Sequence, residues 1–169
     1  MTFGQSPHAA LDAVVRQARY LLFAFDGPIR SVDTGKAADP TTVTAPPAPY
    51  IHDVLAACRE SGCSAAVVTT TPVAEVRAYL DAHDLSAQIT IVAASIGQAA
   101  SALDASPADF AVITSASRDV EAAKAAGVPT ITYAKTHDDA EHQAATGATA
   151  VVYSMANVAL RLRALPLPS

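Results

Sequence analysis

Short apolar runs recur along the chain, each followed by a segment in which apolar residues return every third or fourth position. The runs at 20–25, 64–68, 88–93, 110–113, 130–133 and 149–152 predict short strands buried on both faces. Helical spacing predicts helices over 7–19 (Ala10, Leu11, Val14, Val15), from Tyr50 to a stop at Gly62 (Ile51, Val54, Leu55, Cys58), and over 72–83. Further helices follow at 96–103, 118–126, 138–145 and 155–163. Ser6 before Pro7 has the chemistry of an N-cap, and Gly127 and Gly147 that of C-terminal stops. Strands alternating with short helices predict an α/β fold of the three-layer Rossmannoid kind. Its central parallel sheet would hold five to six strands flanked by helices, and residues 1–169 would form one domain.

One stretch breaks this rhythm. Residues 30–49 carry Pro40, Pro46, Pro47 and Pro49 among Thr, Asp and Ala, with no periodicity. A loop this long inside a compact domain is expected to be functional or disordered. The run Leu21 to Phe25 ends just before it, at Asp26-Gly27-Pro28. Asp26 is thereby placed at the carboxyl end of a strand, where open α/β sheets hold ligands.

Composition narrows the possibilities. Hydrophobic residues make up 51% of the chain and aromatics only 5%, so the core must be aliphatic and alanine-rich. A net charge of −5 offers no electrostatic attraction for nucleic acid or an anionic membrane. Arg16, Arg19, Arg161 and Arg163 read as solvated helix faces. Cys58 and Cys63 are too few for a disulfide framework, and their spacing is not Cys-x-x-Cys; buried or half-buried thiols are expected. No run approaches the roughly 18 apolar residues of a membrane span. The first residues lack the basic-then-apolar order of a signal peptide. The expected location is cytoplasmic.

The stretch LLFAFDGPI resembles motif I of the haloacid dehalogenase-like (HAD) hydrolases, a hydrophobic strand followed by Asp-x-Asp-Gly. In that family the first Asp attacks a phosphoryl group and the second is the acid/base. Here Ala24 stands at the first position and Asp26 at the second. Ala66-Val67-Val68-Thr69 resembles motif II, which implies a phosphate-holding hydroxyl at Thr69. The family's motif III lysine has no counterpart, since no lysine lies between Lys36 and Lys124; Arg77 falls on another helix and Gln98 is uncharged. Motif IV is matched by Phe110 to Asp119, anchored by the VEAAKAAGVP run that follows. This alignment puts Ser115 where the family has its first motif IV Asp, and Asp119 at the last. GATAVVYSMANV resembles the family's closing strand and helix, and FDGPI and YLDAHDL resemble actinobacterial members. The likeness spans nearly the whole chain outside 30–49. A cap domain is inserted at that place in capped members, so this chain reads as capless.

Transfer through an aspartyl-phosphate needs a carboxylate in line with phosphorus. Mg²⁺ takes octahedral oxygen ligation with one or two carboxylates. Ala24, Ser115 and the absent motif III lysine remove nucleophile, metal ligand and countercharge together. The resemblance therefore implies a pseudoenzyme, with no cofactor expected and Mg²⁺ needed only if activity is retained. A ligand site would comprise Gly27, Thr69, Thr70, Ser115, Ser117 and Asp119, with Asp26 as acid/base for any residual chemistry. Strand-end N–H groups and hydroxyls of this kind can hold a phosphate-like anion without metal. The same hydroxyls could instead satisfy loop backbone, with Ser117 capping the helix from Arg118. A regulatory role through a partner protein or a homodimer is the other binding function weighed. A weak or atypical phosphatase for a small phosphorylated metabolite is the catalytic alternative.

Two histidine groupings remain. His137 and His142 are five apart and do not stack on one helix face, and Asp138 and Asp139 suit the helix start. His83 with Asp81 and Asp84 reads as a helix-end surface feature. His8 and His52 have no evident partner.

Overall fold

The computed structural model describes residues 9–30 and 46–164. Chain order runs α1 (Ala9–Gln17), β1 (Tyr20–Ala24), α2 (Ile51–Glu60), β2 (Ser64–Val68), α3 (Val73–Ala82) and β3 (Ile89–Ala93). It continues through α4 (Ile96–Leu103), β4 (Phe110–Thr114), α5 (Ser117–Ala125), β5 (Thr130–Tyr133), α6 (His137–Thr146), β6 (Ala150–Val152) and α7 (Met155–Arg163). The strands form one parallel sheet in the order β3-β2-β1-β4-β5-β6. This is the predicted α/β architecture with six strands, and most boundaries fall within a residue or two of those read from the pattern. Ser6, Pro7 and most of the 30–49 stretch lie outside the described residues.

Alternation along the strands sorts the core into two faces. Leu21, Phe23, Ala65, Val67, Ala111 and Ile113 point to the side covered by α1, α2, α3 and α7. Leu22, Ala66, Phe110 and Val112 point to the side covered by α4 and α5. Helix α6 lies beside α5 against β5 and β6. Reversal of strand order at β1 and β4 places the topological switch between their carboxyl ends, the position at which such sheets bind ligands.

Several local readings change. Strand β1 stops at Ala24, one residue early, because the Phe25 carbonyl accepts the Arg30 N–H at 2.8 Å and leaves the ladder. Ser117 is the first residue of α5 and does not cap it; Ala116 holds the cap position without a side-chain bond. There the Thr114 hydroxyl oxygen accepts the Ala116 N–H at 3.1 Å instead. Arg161 and Arg163 are not merely solvated. Arg161 grips both oxygens of Asp12 on α1 (2.5 and 2.8 Å), and Arg163 bridges Asp53 and Glu60 on α2 (2.9 Å each). Both clamp α7 to the helices it packs on. His52 also has a partner, the His83 carbonyl at 2.9 Å.

Cys58 is buried and Cys63 half-buried, as expected of the thiols. Gly62 takes φ +84° after the end of α2, and the Cys63 N–H returns to the Cys58 carbonyl at 2.9 Å. This turn brings the two side chains together. The neighbouring Cys63 side chain and burial push the Cys58 thiol up, while the neighbouring Cys58 pulls Cys63 down.

Candidate functional site

The carboxyl ends of β1 and β4 meet through Gly27 and Ser115. Gly27 has φ +102°, and a Cβ there would collide with the Ser115 hydroxyl and lie 3.2 Å from its Cβ. Glycine is required here both for the backbone angle and for the close approach. The turn is tied by the Gly27 N–H to the Arg30 carbonyl at 2.8 Å, and the Ala48 N–H closes on the Ile29 carbonyl at 2.7 Å. The 30–49 stretch thus leaves and rejoins the domain beside this turn.

Asp26 is exposed and committed. Its Oδ1 accepts from Arg30 Nε at 2.6 Å and lies 2.5 Å from Arg30 Nη2. The Arg30 guanidinium in turn sits 4.6 Å from the centroid of Phe25, a cation–π contact that fixes its plane. Tyr79 meets the other part of Phe25 edge-on at 5.2 Å. Burial pushes the Tyr79 phenol up to about 12, with Arg30 opposing and Asp26 reinforcing the shift.

A cleft opens on the α4/α5 side of this end of the sheet, with a volume of about 330 Å³. Ala24, Val68 and Val112 form its floor, the turn into α4 (Ala94 to Gly97) one wall, and Ala122 of α5 with Ala126 at its C-cap the other. Its origin is topological. Helix α4 lies over β2 and β3, and α5 over β4 and β5; between them Leu22 is buried, while Ala24 at the carboxyl end of β1 is left open. Asp119, Ala122 and Ala126 share the cleft-facing stripe of α5, at i, i+3 and i+7.

Of the candidate residues read from the sequence, only Asp119 lines this cleft, and it does so with Ala24. Asp119 Oδ2 accepts the buried Thr114 hydroxyl at 2.7 Å. Gly27 and Ser115 touch each other at the carboxyl end of the sheet, outside the cleft lining. Thr69 turns its hydroxyl to the Thr71 N–H at 3.1 Å, and Thr70 is exposed beyond it. The Ser115 carbonyl accepts from Gln143 Nε2 at 3.3 Å, and Ser117 begins α5. The cleft residues Ser95, Ile96 and Gly97 were not singled out by sequence reasoning. Their signal was present: a serine just before the helical run at 96–103 is an N-cap at a strand's carboxyl end. The Ser95 hydroxyl does accept the Gln98 N–H at 3.1 Å.

The Mg²⁺ that the motif resemblance implies finds a poor donor set. Ala24 offers a methyl group, Asp26 is occupied by Arg30, and among the described residues Asp119 is the one carboxylate in the cleft. A divalent ion with octahedral oxygen demand does not fit residues so arranged. Among the described residues, no group of three or more His, Cys, Asp or Glu could hold a metal ion. His137 pairs with Glu141 at 3.1 Å on the exposed face of α6. No described helix is long and apolar enough to cross a membrane.

No protein-family model and no curated protein matches the sequence. Solved structures do match. A predicted phosphatase from Clostridium acetobutylicum superposes with a TM-score of 0.69 at 13% identity, covering 86% of this chain and 98% of the other. L-2-haloacid dehalogenase from Xanthobacter autotrophicus, with chloropropionic acid covalently bound, gives 0.69 at 11% identity over 88% and 100% of the two chains. A haloacid dehalogenase-like hydrolase from Streptococcus pneumoniae gives 0.69 at 12% identity over 85% and 97%. The order of elements, the parallel sheet and these superpositions agree: the chain has the haloacid dehalogenase-like fold.

Proposed function

We propose that this chain is a catalytically silent, capless domain of haloacid dehalogenase-like fold that binds a small molecule in the cleft over β1 without transforming it. One observation carries the reading: at the carboxyl end of β1, where motif I would supply its nucleophile, the cleft floor is the methyl group of Ala24. A methyl group can neither attack nor hold a metal. Asp26 cannot readily substitute, because its carboxylate is paired with an arginine that stacks on Phe25. Removing one central catalytic group costs on the order of 10⁴–10⁶ in turnover.

The test is steady-state phosphate release from a broad panel of phosphate esters with Mg²⁺, with identically purified Asp26→Ala protein as the contamination control. The expected result is release no faster than the control. Turnover that Asp26→Ala abolishes would overturn the silent reading and establish a phosphatase built on a different nucleophile.

A further inference from the structure

We propose that the occupant of the cleft is a compact hydrophobic amine: a primary ammonium carried on a small aromatic or branched aliphatic body. This rests on the reading of the cleft as a binding site, and it departs from the phosphate-like ligand that the hydroxyl-bearing loops suggest in the sequence. The cleft itself selects the chemistry. Its floor and walls are Val68, Val112, Ile96 and alanine methyls, which reward an apolar body. About 330 Å³ lies at the small end of the usual range for ligand sites, roughly 300–1,000 Å³.

Charge decides the head group. Among the described residues, Asp119 is the one charged residue lining the cleft. The cations of α5 lie off its cleft-facing stripe: Arg118 is exposed one residue earlier, and the Lys124 side chain lies against Gly147 at the end of α6. Arg30, at the β1 turn, is held by Asp26 and Phe25. A carboxylate that no cationic side chain of the described residues answers in the cleft attracts a cation and repels a phosphate or carboxylate. The Asp119 carboxylate is also held in place. Its Oδ2 accepts the Thr114 hydroxyl at 2.7 Å.

The opposite wall is less inviting to an anion than a bare helix start would be. The Ser95 hydroxyl takes the Gln98 N–H and Gln98 Oε1 takes the Ala94 N–H at 3.0 Å, so two donors there are answered within the chain. One carboxylate is too little for Mg²⁺, but it suits an ammonium with three N–H donors and a single charge.

The experiment is a titration of the ¹⁵N-labelled full chain, followed by amide NMR, with four compounds that share a phenylethyl body and differ in head group: 2-phenylethylamine, 2-phenylethanol, 3-phenylpropionate and 2-phenylethyl phosphate. Phosphate release is assayed in parallel. The amine is expected to shift the amides of Ala24, Gly97 and Ala122 and to bind at least tenfold more tightly than the other three. Asp119→Asn keeps an acceptor for the Thr114 hydroxyl while removing the charge, and it is expected to reduce amine binding to the level of the alcohol. Ala122→Leu fills the cleft and is expected to abolish the shifts. Equal binding of the alcohol, or indifference to Asp119→Asn, overturns the amine while leaving a silent apolar site. Tighter binding of the phosphate ester, or no shift at those amides with any ligand, also overturns it. Turnover in the parallel assay counts against the silent reading alone.

Discussion

The two faces of the sheet are filled in different ways. Under α1, α2, α3 and α7 the core holds Phe23, Phe25, Ile51, Leu55, Tyr79 and Leu80, all essentially inaccessible to solvent. The same side is tied across its helices by the pairs that Arg161 and Arg163 make with Asp12, Asp53 and Glu60. Under α4 and α5 the core is smaller, and alanines (Ala66, Ala93, Ala99, Ala123) hold many of its positions. Alanine buries little surface and leaves volume unfilled. One face therefore carries the stability, while the other can keep a cleft open over β1. Strand alternation makes this division possible: Phe23 fills the first face, while its neighbours Leu22 and Ala24 face the second.

The contrast breaks most visibly in the large-residue core. Leu55→Ala, at 1% exposure, is expected to cost about 2–5 kcal/mol in urea unfolding. A cost below about 1 kcal/mol would mean that this face is not the stabilising one. At the seam between the faces, Gly27→Ala must adopt φ +102° and displace Ser115, for a cost of about 2 kcal/mol by the same measurement.

A subtler effect comes from Tyr79. Its phenol is raised to about 12 in the folded protein, against about 10 in an unfolded chain. The unfolded state therefore loses this proton first as pH rises. The stabilising contribution is complete below about pH 10 and is lost as pH climbs through about 12. Tyr79→Phe should flatten that part of the dependence of unfolding midpoint on pH, relative to the unchanged protein. The smallest effect is expected on the cleft side. Ala122→Leu extends an exposed helix position into open space, and it should change stability by no more than about 0.5 kcal/mol while removing ligand binding.

Much of this architecture was legible. The bounds of β2, α4, β5 and α7 coincide with the apolar runs and periodic segments that predict them, because local pattern and tertiary burial agree there. Ala24 and Asp119 were legible as departures from, or matches to, known motif positions. The cleft was not. Periodicity says that Ala122 and Ala126 share a face with Asp119, but not that the carboxyl end of β1 is left open between α4 and α5; the paths of the two crossovers decide that. Long-range charge pairing was hidden for a similar reason. Nothing local to Arg161 points to Asp12, 149 residues earlier. The spacing of Cys58 and Cys63 resembles no standard motif, yet the turn at Gly62 brings the two residues together.

Acid-quenched intact-mass measurement after incubation with acetyl phosphate and Mg²⁺ tests the central claim most directly, since it looks for the covalent intermediate itself. With Ala24 at the nucleophile position and Asp26 bound to Arg30, the account predicts an unmodified mass. A single phosphoryl adduct that maps to the turn after β1 and disappears in Asp26→Ala would contradict it.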